Sequence, residues 1–192
     1  MIGLFGGSFD PPHLGHLGII RSFWKQFPEA KTLYLVPNRL SPFKEKKNVE
    51  KKDLLRMLEI LVKEEQEDIR ISNLELERET EKSYTIDTLK RFEKELPGEE
   101  LQFLLGSDSL ERFMDWKDSD EILRLAGLLV FQRPGFSAGI PDGMDEKKVL
   151  FLRNEPLPYS SSAIRKELGS GGRPEGLSEG VYSYIKQREL YI

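Results

Sequence analysis

The sequence predicts an α/β fold, a Rossmann-like doubly wound parallel sheet flanked by helices, with a small C-terminal helical segment. Short apolar runs of strand length alternate with stretches of helical periodicity along the chain. The first unit reads as strand, helix and strand, which implies a right-handed crossover between parallel strands. Polar, glycine-containing turns follow several apolar runs, at the sheet edge where such folds bind ligands.

The elements are assigned from apolar spacing and stop signals. Strands are expected at residues 1–5, 32–36, 69–77, 101–105, 128–131 and 149–152. Helices are expected at residues 15–27, 53–62, 83–96, 118–126, 158–169 and 178–190. Pro28 is a typical helix stop. Leu74 and Leu76 alternate with glutamates, as in a half-exposed edge strand, and Ser83 has the chemistry of an N-cap.

Composition restricts the class of protein. The 192 residues suit a single domain, residues 1–192, in which residues 158–192 form the C-terminal helical segment. A hydrophobic content of 38% allows a sizeable core, and a net charge of -4 argues against a general nucleic-acid binder. The absence of cysteine excludes disulfides. No apolar run approaches the roughly eighteen residues of a membrane span, so we expect a cytoplasmic protein without membrane or nucleic-acid partners.

Residues 6–16, G-G-S-F-D-P-P-H-L-G-H, predict a nucleotide phosphate site. Gly6 and Gly7 lack a Cβ, so positive φ and close approach of a phosphate are both expected. The following helix presents unpaired N–H groups and the positive end of its dipole. His13 and His16 can each donate a hydrogen bond and can become cationic against phosphate.

Other interpretations of this stretch stay open at this point. A strand, a glycine pair and a helix occur in many α/β domains without a nucleotide role. His13 and His16 could share a zinc ion, although the remaining ligands would have to be carboxylates, since no cysteine or third histidine is present. Neither the Walker A pattern nor the dinucleotide G-x-G-x-x-G pattern occurs here.

A second phosphate site is predicted at the start of a late helix. Ser161, Ser162 and Arg165 are spaced so that hydroxyls, first-turn N–H groups and a guanidinium can share one face. Ordinary serine capping would explain the same serines. Asp108 and Arg133 follow two other strands at the same sheet edge, where Asp108 could instead cap a helix.

The two motifs together resemble the nucleotidylyltransferase superfamily, in which an H-x-G-H pair follows a G-G-x-F-D-P turn and a later S-x-x-I-R segment binds phosphate. The intervening segments follow the order found in bacterial nicotinate mononucleotide adenylyltransferases, namely V-P-N at 36–38, S-Y-T at 83–85, G-S-D at 106–108, Trp116, and R-P-G at 133–135. The resemblance spans nearly the whole chain.

This resemblance implies transfer of an adenylyl group from ATP to nicotinate mononucleotide, giving deamido-NAD (nicotinate adenine dinucleotide) and pyrophosphate in NAD biosynthesis. No covalent enzyme intermediate is implied. The family uses Mg2+, bound mainly through the ATP phosphates, so no protein-only metal site is expected. Residues 158–192 would supply the second phosphate site, and whether the chain forms a homo-oligomer is left open.

The resemblance also implies roles for individual residues. The catalytic group would be His13, His16 and Arg165, with His16 the leading candidate for stabilising the transition state. Contacts to ATP would come from Gly6, Gly7, Ser8, Phe9, Lys44, Gly106, Asp108, Ser161 and Ser162. Contacts to the mononucleotide would come from Asn38, Thr85, Trp116 and Arg133. Core packing is the alternative role of Trp116.

Four positions differ from the usual family pattern. Ser8 replaces threonine, Arg39 replaces a second asparagine, Phe43 replaces a histidine, and Lys117 replaces an aromatic residue. Phe43 cannot supply a hydrogen bond to ATP.

Two rival functions stay open: a nucleotidyltransferase with another acceptor, such as nicotinamide mononucleotide or phosphopantetheine, and an ATP-binding sensor without turnover.

Overall fold

The computed structural model describes residues 1–39, 49–77, 82–136 and 139–191. Within these ranges the strands are β1 Ile2–Gly7, β2 Thr32–Pro37, β3 Ile69–Ile71, β4 Leu101–Gly106, β5 Gly127–Phe131 and β6 Val149–Leu152. The helices are α1 Leu14–Gln26, α2 Lys51–Val62, α3 Thr85–Glu95, α4 Ser107–Leu110, α5 Ser119–Leu125, α6 Ser161–Gly169 and α7 Glu179–Gln187.

The six strands form one sheet in the order β3-β2-β1-β4-β5-β6. Every neighbouring pair is parallel, and Phe5 of β1 is in register with Leu35 of β2 and Leu104 of β4. This confirms the predicted Rossmann-like doubly wound sheet. The strand order reverses between β1 and β4, so a crevice for ligands opens beyond the carboxyl ends of these two strands.

Apolar side chains cover both faces of the sheet because successive strand residues point to opposite sides. On β1, Leu4 joins a cluster with Leu89 and Phe92 of α3, while Phe5 joins a cluster with Phe23 of α1 on the other face. A third cluster packs α6 and α7 against α1 and α2 through Leu17, Met57, Leu61, Ile164, Leu168, Val181 and Ile185. The C-terminal helices are therefore fixed beside the amino end of α1.

Two sequence predictions about local structure are wrong. Strand β3 ends at Ile71, and residues 74–77 form a turn in which Glu75 is only 6% exposed. The alternation of Leu74 and Leu76 reflects a turn with a buried carboxylate, not an edge strand. Ser83 does not cap α3: the N-cap is Tyr84, and Ser83 Oγ accepts a hydrogen bond from the Arg39 backbone N–H at 3.0 Å.

In the described part of the chain, every helix falls short of the length and apolar character required to cross a bilayer.

Candidate active site

A cleft of about 1290 Å³ lies beyond the carboxyl ends of β1, β4 and β5. It is lined by every predicted site residue in the described ranges, namely Gly6, Gly7, Ser8, Phe9, His13, His16, Asn38, Thr85, Gly106, Asp108, Trp116, Arg133, Ser161, Ser162 and Arg165. Lys44 and Phe43 fall in residues 40–48, outside the described part of the chain. The fold thus brings together residues from both ends of the sequence.

The two histidines are held by the backbone at the start of α1. His13 is the N-cap, and its Nδ1 accepts from the Gly15 N–H at 3.1 Å, while Nδ1 of His16 accepts from the His13 N–H at 3.1 Å. A neutral imidazole that accepts at Nδ1 carries its proton on Nε2. Each ring is therefore set in the tautomer whose Nε2–H can donate to a ligand.

The histidine rings are buried and close to one another. His13 is 6% exposed, His16 is 8% exposed, and their ring centroids are 3.8 Å apart. Burial, followed by the nearby positive charge of Arg133, lowers the pKa of His13 to about 3. Without a bound phosphate, His13 is therefore neutral near pH 7 because its charged form is poorly solvated. That the imidazoles become cationic against a phosphate stays a prediction.

For the glycine pair, the predicted positive φ is wrong, while the close approach of a phosphate stays a prediction. Neither Gly6 nor Gly7 has positive φ; both lie in β1, and the positive φ of 51° falls on Phe9. A Cβ on Gly6 would lie 2.9 Å from the Phe103 ring, and one on Gly7 would lie 3.0 Å from the Phe9 ring. These glycines make room for aromatic side chains around the cleft. The Phe9 ring is almost fully buried and packs 4.8 Å from the His16 ring.

Helix α6 places the second motif directly against the first. Ser160 is its N-cap, so the capping role belongs to Ser160, leaving the Ser161 hydroxyl to donate to the Pro11 carbonyl at 3.0 Å. Arg165 donates from Nη1 to the Asp10 carbonyl oxygen and lies 3.4 Å from Ser162 Oγ. The starts of α1 and α6 thus face one cleft.

Asp108 and Arg133 meet at the ends of β4 and β5. Arg133 Nε lies 3.2 Å from Asp108 Oδ1, and the Arg133 backbone N–H donates to Ser107 Oγ at 3.0 Å. A Cβ on Gly106 would overlap Asp108 Oδ1 and lie 2.7 Å from Arg133 Nε, so glycine is needed for this ion pair. Asp108 lies inside α4, whose N-cap is Gly106, so its expected alternative as a helix cap is wrong.

The far side of the cleft combines an aromatic wall with a helix start. Trp116 is half-buried, with its ring centroid 5.4 Å from Phe113 and 6.1 Å from Phe103, and it also lines the cleft. Thr85 begins α3, and the N-cap residue Tyr84 makes no side-chain capping bond. The Asp87 N–H already donates to the Tyr84 carbonyl at 3.1 Å, so within the described residues the N–H groups of Thr85 and Ile86 are the ones left for an anion. Lys117 Nζ stands 4.9 Å from the Tyr84 ring centroid.

Sequence reasoning missed two buried acidic residues of the cleft. Asp10 is 4% exposed, and its carboxylate accepts a hydrogen bond from the Tyr191 hydroxyl at 2.6 Å. Glu75 accepts from the Thr88 hydroxyl through Oε1, while its buried Oε2 has no hydrogen-bond partner among the described residues. Asp10 stood inside the first motif and could have been singled out there. Glu75 carries no signal in the sequence, because its alternation with leucines is typical of a half-exposed edge strand.

Comparison with known proteins identifies the family. Residues 4–167 match the cytidylyltransferase-like family. A protein of Leptospira interrogans named "probable nicotinate-nucleotide adenylyltransferase" is 37% identical over 197 residues, covering 100% of this chain and 96% of the relative. A protein of the same name from Geobacillus thermodenitrificans is 36% identical over 192 residues, covering 99% of this chain and 85% of the relative.

Solved structures share the fold. The nicotinic acid mononucleotide adenylyltransferase of Plasmodium falciparum, complexed with NaAD, superposes with a TM-score of 0.77 at 21% identity, covering 99% of this chain and 96% of the other. A putative nicotinate-nucleotide adenylyltransferase of Vibrio parahaemolyticus superposes with a TM-score of 0.71 at 17% identity, with coverages of 99% and 94%. From the family match and the similarity of full-length relatives, this chain belongs to the cytidylyltransferase-like family and, within it, to the nicotinate-nucleotide adenylyltransferases.

Proposed function

We propose that this protein transfers the adenylyl group of ATP to nicotinate mononucleotide, forming nicotinate adenine dinucleotide and pyrophosphate in NAD biosynthesis. One observation carries the proposal beyond family membership. The Ser161 hydroxyl is bonded to the Pro11 carbonyl across 150 positions of sequence, so two phosphate-binding motifs open onto the same cleft. Such an arrangement suits one extended anion such as a triphosphate.

On the ATP side, the chain supplies hydrogen-bond donors and charge. The Nε2–H groups of His13 and His16 would donate to phosphate oxygens as charge develops on them. Arg165, Ser162 and the backbone N–H of Ser161 would bind the β and γ phosphates, because the Ser161 hydroxyl already donates to the Pro11 carbonyl. Neutral donors fixed in place before the reaction need little reorganisation in the transition state. Arg165 adds the positive charge that the buried imidazoles lack.

The chemical step needs no covalent enzyme intermediate. An oxygen of the mononucleotide 5′-phosphate forms a bond to the α-phosphorus of ATP, and the bond from that phosphorus to the bridging oxygen of pyrophosphate breaks. A phosphate monoester has a second pKa of about 6, so the attacking oxygen is already ionised near pH 7. Catalysis is then mainly a matter of alignment and charge stabilisation.

On the mononucleotide side, the aromatic wall at Trp116 and the start of α3 would bind different parts of the ligand. Trp116 would stack on the pyridine ring, and the N–H groups at Thr85 would bind the carboxylate. Arg133 would bind the 5′-phosphate, Asn38 would contact the mononucleotide, and Asp108 would contact a nucleotide. Gly6, Gly7, Ser8, Phe9 and Gly106 would shape the floor on which ATP lies.

Mg2+ would be held mainly by the phosphate oxygens of ATP. Among the described residues there is no group of three or more histidine, aspartate or glutamate side chains placed to hold a metal ion. Mg2+ commonly keeps several waters and binds through phosphates, so we expect it to arrive with the nucleotide. When bound, the ion neutralises charge on the leaving pyrophosphate.

A panel of acceptors tests the proposal. Pyrophosphate release is measured with ATP, Mg2+ and either nicotinate mononucleotide, nicotinamide mononucleotide or phosphopantetheine. We expect the highest kcat/KM with nicotinate mononucleotide, because the open N–H groups of α3 favour a carboxylate over an amide. Faster turnover with another acceptor would identify a different transferase, and tight ATP binding without turnover on any acceptor would identify a sensor. The cytoplasmic location, the single domain and any homo-oligomer stay predictions.

A further inference from the structure

The penultimate residues of the chain reach the phosphate end of the cleft. The Tyr191 hydroxyl donates to Asp10 Oδ1 at 2.6 Å, across 181 positions of sequence. Arg165 donates to the backbone carbonyl oxygen of the same aspartate. Asp10 therefore lies between a tyrosine hydroxyl and the guanidinium expected to bind ATP phosphates, and the two donors meet different oxygen atoms of it.

The Asp10 carboxylate is a potential competitor of ATP. It is 4% exposed and carries a negative charge beside a phosphate site. A carboxylate accepts well from a guanidinium, so an Asp10 carboxylate released from the Tyr191 hydroxyl could bind Arg165 in place of a phosphate. A hydrogen-bond donor that binds the Asp10 carboxylate therefore reduces its competition with ATP for Arg165.

Tyr191 is suited to that task. Burial, followed by the negative charge of Asp10, raises the pKa of its hydroxyl far above the neutral range. The hydroxyl therefore remains protonated and keeps donating at any working pH. Unlike a lysine or arginine, it brings no positive charge that would itself attract the triphosphate away from Arg165.

A second tyrosine–aspartate pair holds α7 outside the lining of the cleft. The Tyr184 hydroxyl donates to Asp53 Oδ1 at 2.8 Å, and Arg188 Nε donates to the same oxygen at 3.2 Å. Asp53 belongs to α2, so α7 is anchored before the chain turns toward Asp10. Tyr184 is not among the cleft-lining residues, which makes it a matched control.

We propose that Tyr191 is a positioning residue for ATP: its hydroxyl engages the Asp10 carboxylate so that the Arg165 guanidinium is available to the triphosphate. This inference rests on the proposed function only in requiring that ATP occupy the cleft. It assigns to the chain end a role in nucleotide affinity rather than in fold stability alone.

The test compares Tyr191→Phe with Tyr184→Phe. Each change removes one tyrosine hydroxyl bonded to a buried aspartate. For Tyr191→Phe we expect the Kd of MgATP, measured by calorimetry without acceptor, to rise roughly tenfold, the factor expected from one hydrogen bond to a charged group. The KM for ATP should rise in parallel, while the KM for the mononucleotide stays near the wild-type value. For Tyr184→Phe we expect a lower Tm and wild-type ATP affinity.

A second substitution tests the charge argument. Asp10→Asn in the Tyr191→Phe background should recover most of the lost ATP affinity, because an amide does not compete as an anion. Equal losses of Tm with unchanged ATP affinity in both tyrosine variants would overturn the proposal, as would a double variant that binds ATP no better than Tyr191→Phe. Wild-type protein that binds ATP but fails to turn over would instead contradict the proposed function, and the affinity comparison would still decide the role of Tyr191.

Discussion

The two helix starts that face the cleft differ in the groups that they present to a ligand. At α1, His13 and His16 are at most 8% exposed, held by backbone N–H groups, and His13 is kept neutral by burial. At α6, Ser162 is exposed and Arg165 is half-buried, with a permanent positive charge. The first supplies fixed neutral donors and the second supplies charge. This contrast predicts that α1 acts mainly on the rate and α6 mainly on ATP affinity.

The largest expected effect is at α1. His16→Ala removes one fixed Nε2–H donor, and loss of one such donor lowers kcat by roughly 100-fold to 1000-fold. We expect the KM for ATP to change little and circular dichroism to show an intact fold. Steady-state kinetics with nicotinate mononucleotide provides the measurement. A kcat within about threefold of wild type would remove His16 from the catalytic group.

The matching change at α6 should give the opposite pattern. Arg165→Ala removes a charged donor, so the KM for ATP should rise by roughly 10-fold to 100-fold, with a smaller fall in kcat. Lys166→Ala, an exposed neighbour on the same helix, is the control and should behave as wild type. If Arg165→Ala lowers kcat while leaving ATP affinity intact, the division of roles between α1 and α6 is wrong.

The pH dependence of the free energy of unfolding tests whether His13, at the α1 start, is buried and neutral. Its pKa is about 3 in the folded protein and 6.5 without the fold. Between these values the unfolded chain binds more protons, so stability is fully present above about pH 6.5 and falls as the pH drops toward 3. Between pH 7 and pH 5, this histidine alone should lower the free energy of unfolding by about 2 kcal/mol.

Urea unfolding at several pH values measures this dependence. His13→Asn keeps a side-chain acceptor at the N-cap, where asparagine is favourable, and removes the titrating group. The difference in unfolding free energy between the two proteins should therefore grow as the pH rises from 5 to 7. Parallel curves for the two proteins would contradict a buried neutral His13.

The smallest expected effect is at Trp116, on the side of the cleft where we expect the mononucleotide rather than the ATP phosphates. Trp116→Leu removes the aromatic wall, so the KM for the mononucleotide should rise roughly fivefold, the size of one aromatic pair. ATP affinity should stay unchanged. The chain has two tryptophans, so fluorescence can separate them. Quenching by nicotinate mononucleotide should persist in Trp24→Phe and disappear in Trp116→Phe; the reverse would place the pyridine ring elsewhere.

The sequence predicted the sheet and most of the cleft because these depend on local patterns. Apolar runs marked five of the six strands closely, and motifs at strand ends were brought together by the parallel topology. Burial could not be predicted with the same success. The neutral state of His13 depends on neighbours from other elements, including Arg133. The turn at Glu75 has the same alternation as a strand, and only its tertiary contact with Thr88 distinguishes the two.

Contacts between distant residues left no signal in the sequence. The sequence predicts positive φ at the glycine pair, but neither glycine has it, and a Cβ on either one would meet the Phe103 or Phe9 ring. The bond from Tyr191 to Asp10 joins the two ends of the chain. Spacing rules describe neighbours along one element, so they cannot predict such a pair.

A crystal structure with a non-hydrolysable ATP analogue tests the central claim most directly, through distances to one ligand. We predict that Nε2 of His13 or His16 and a guanidinium nitrogen of Arg165 each lie within hydrogen-bond distance of the same triphosphate. A triphosphate that contacts only one of the two helix starts, or that binds outside the cleft, would contradict this account.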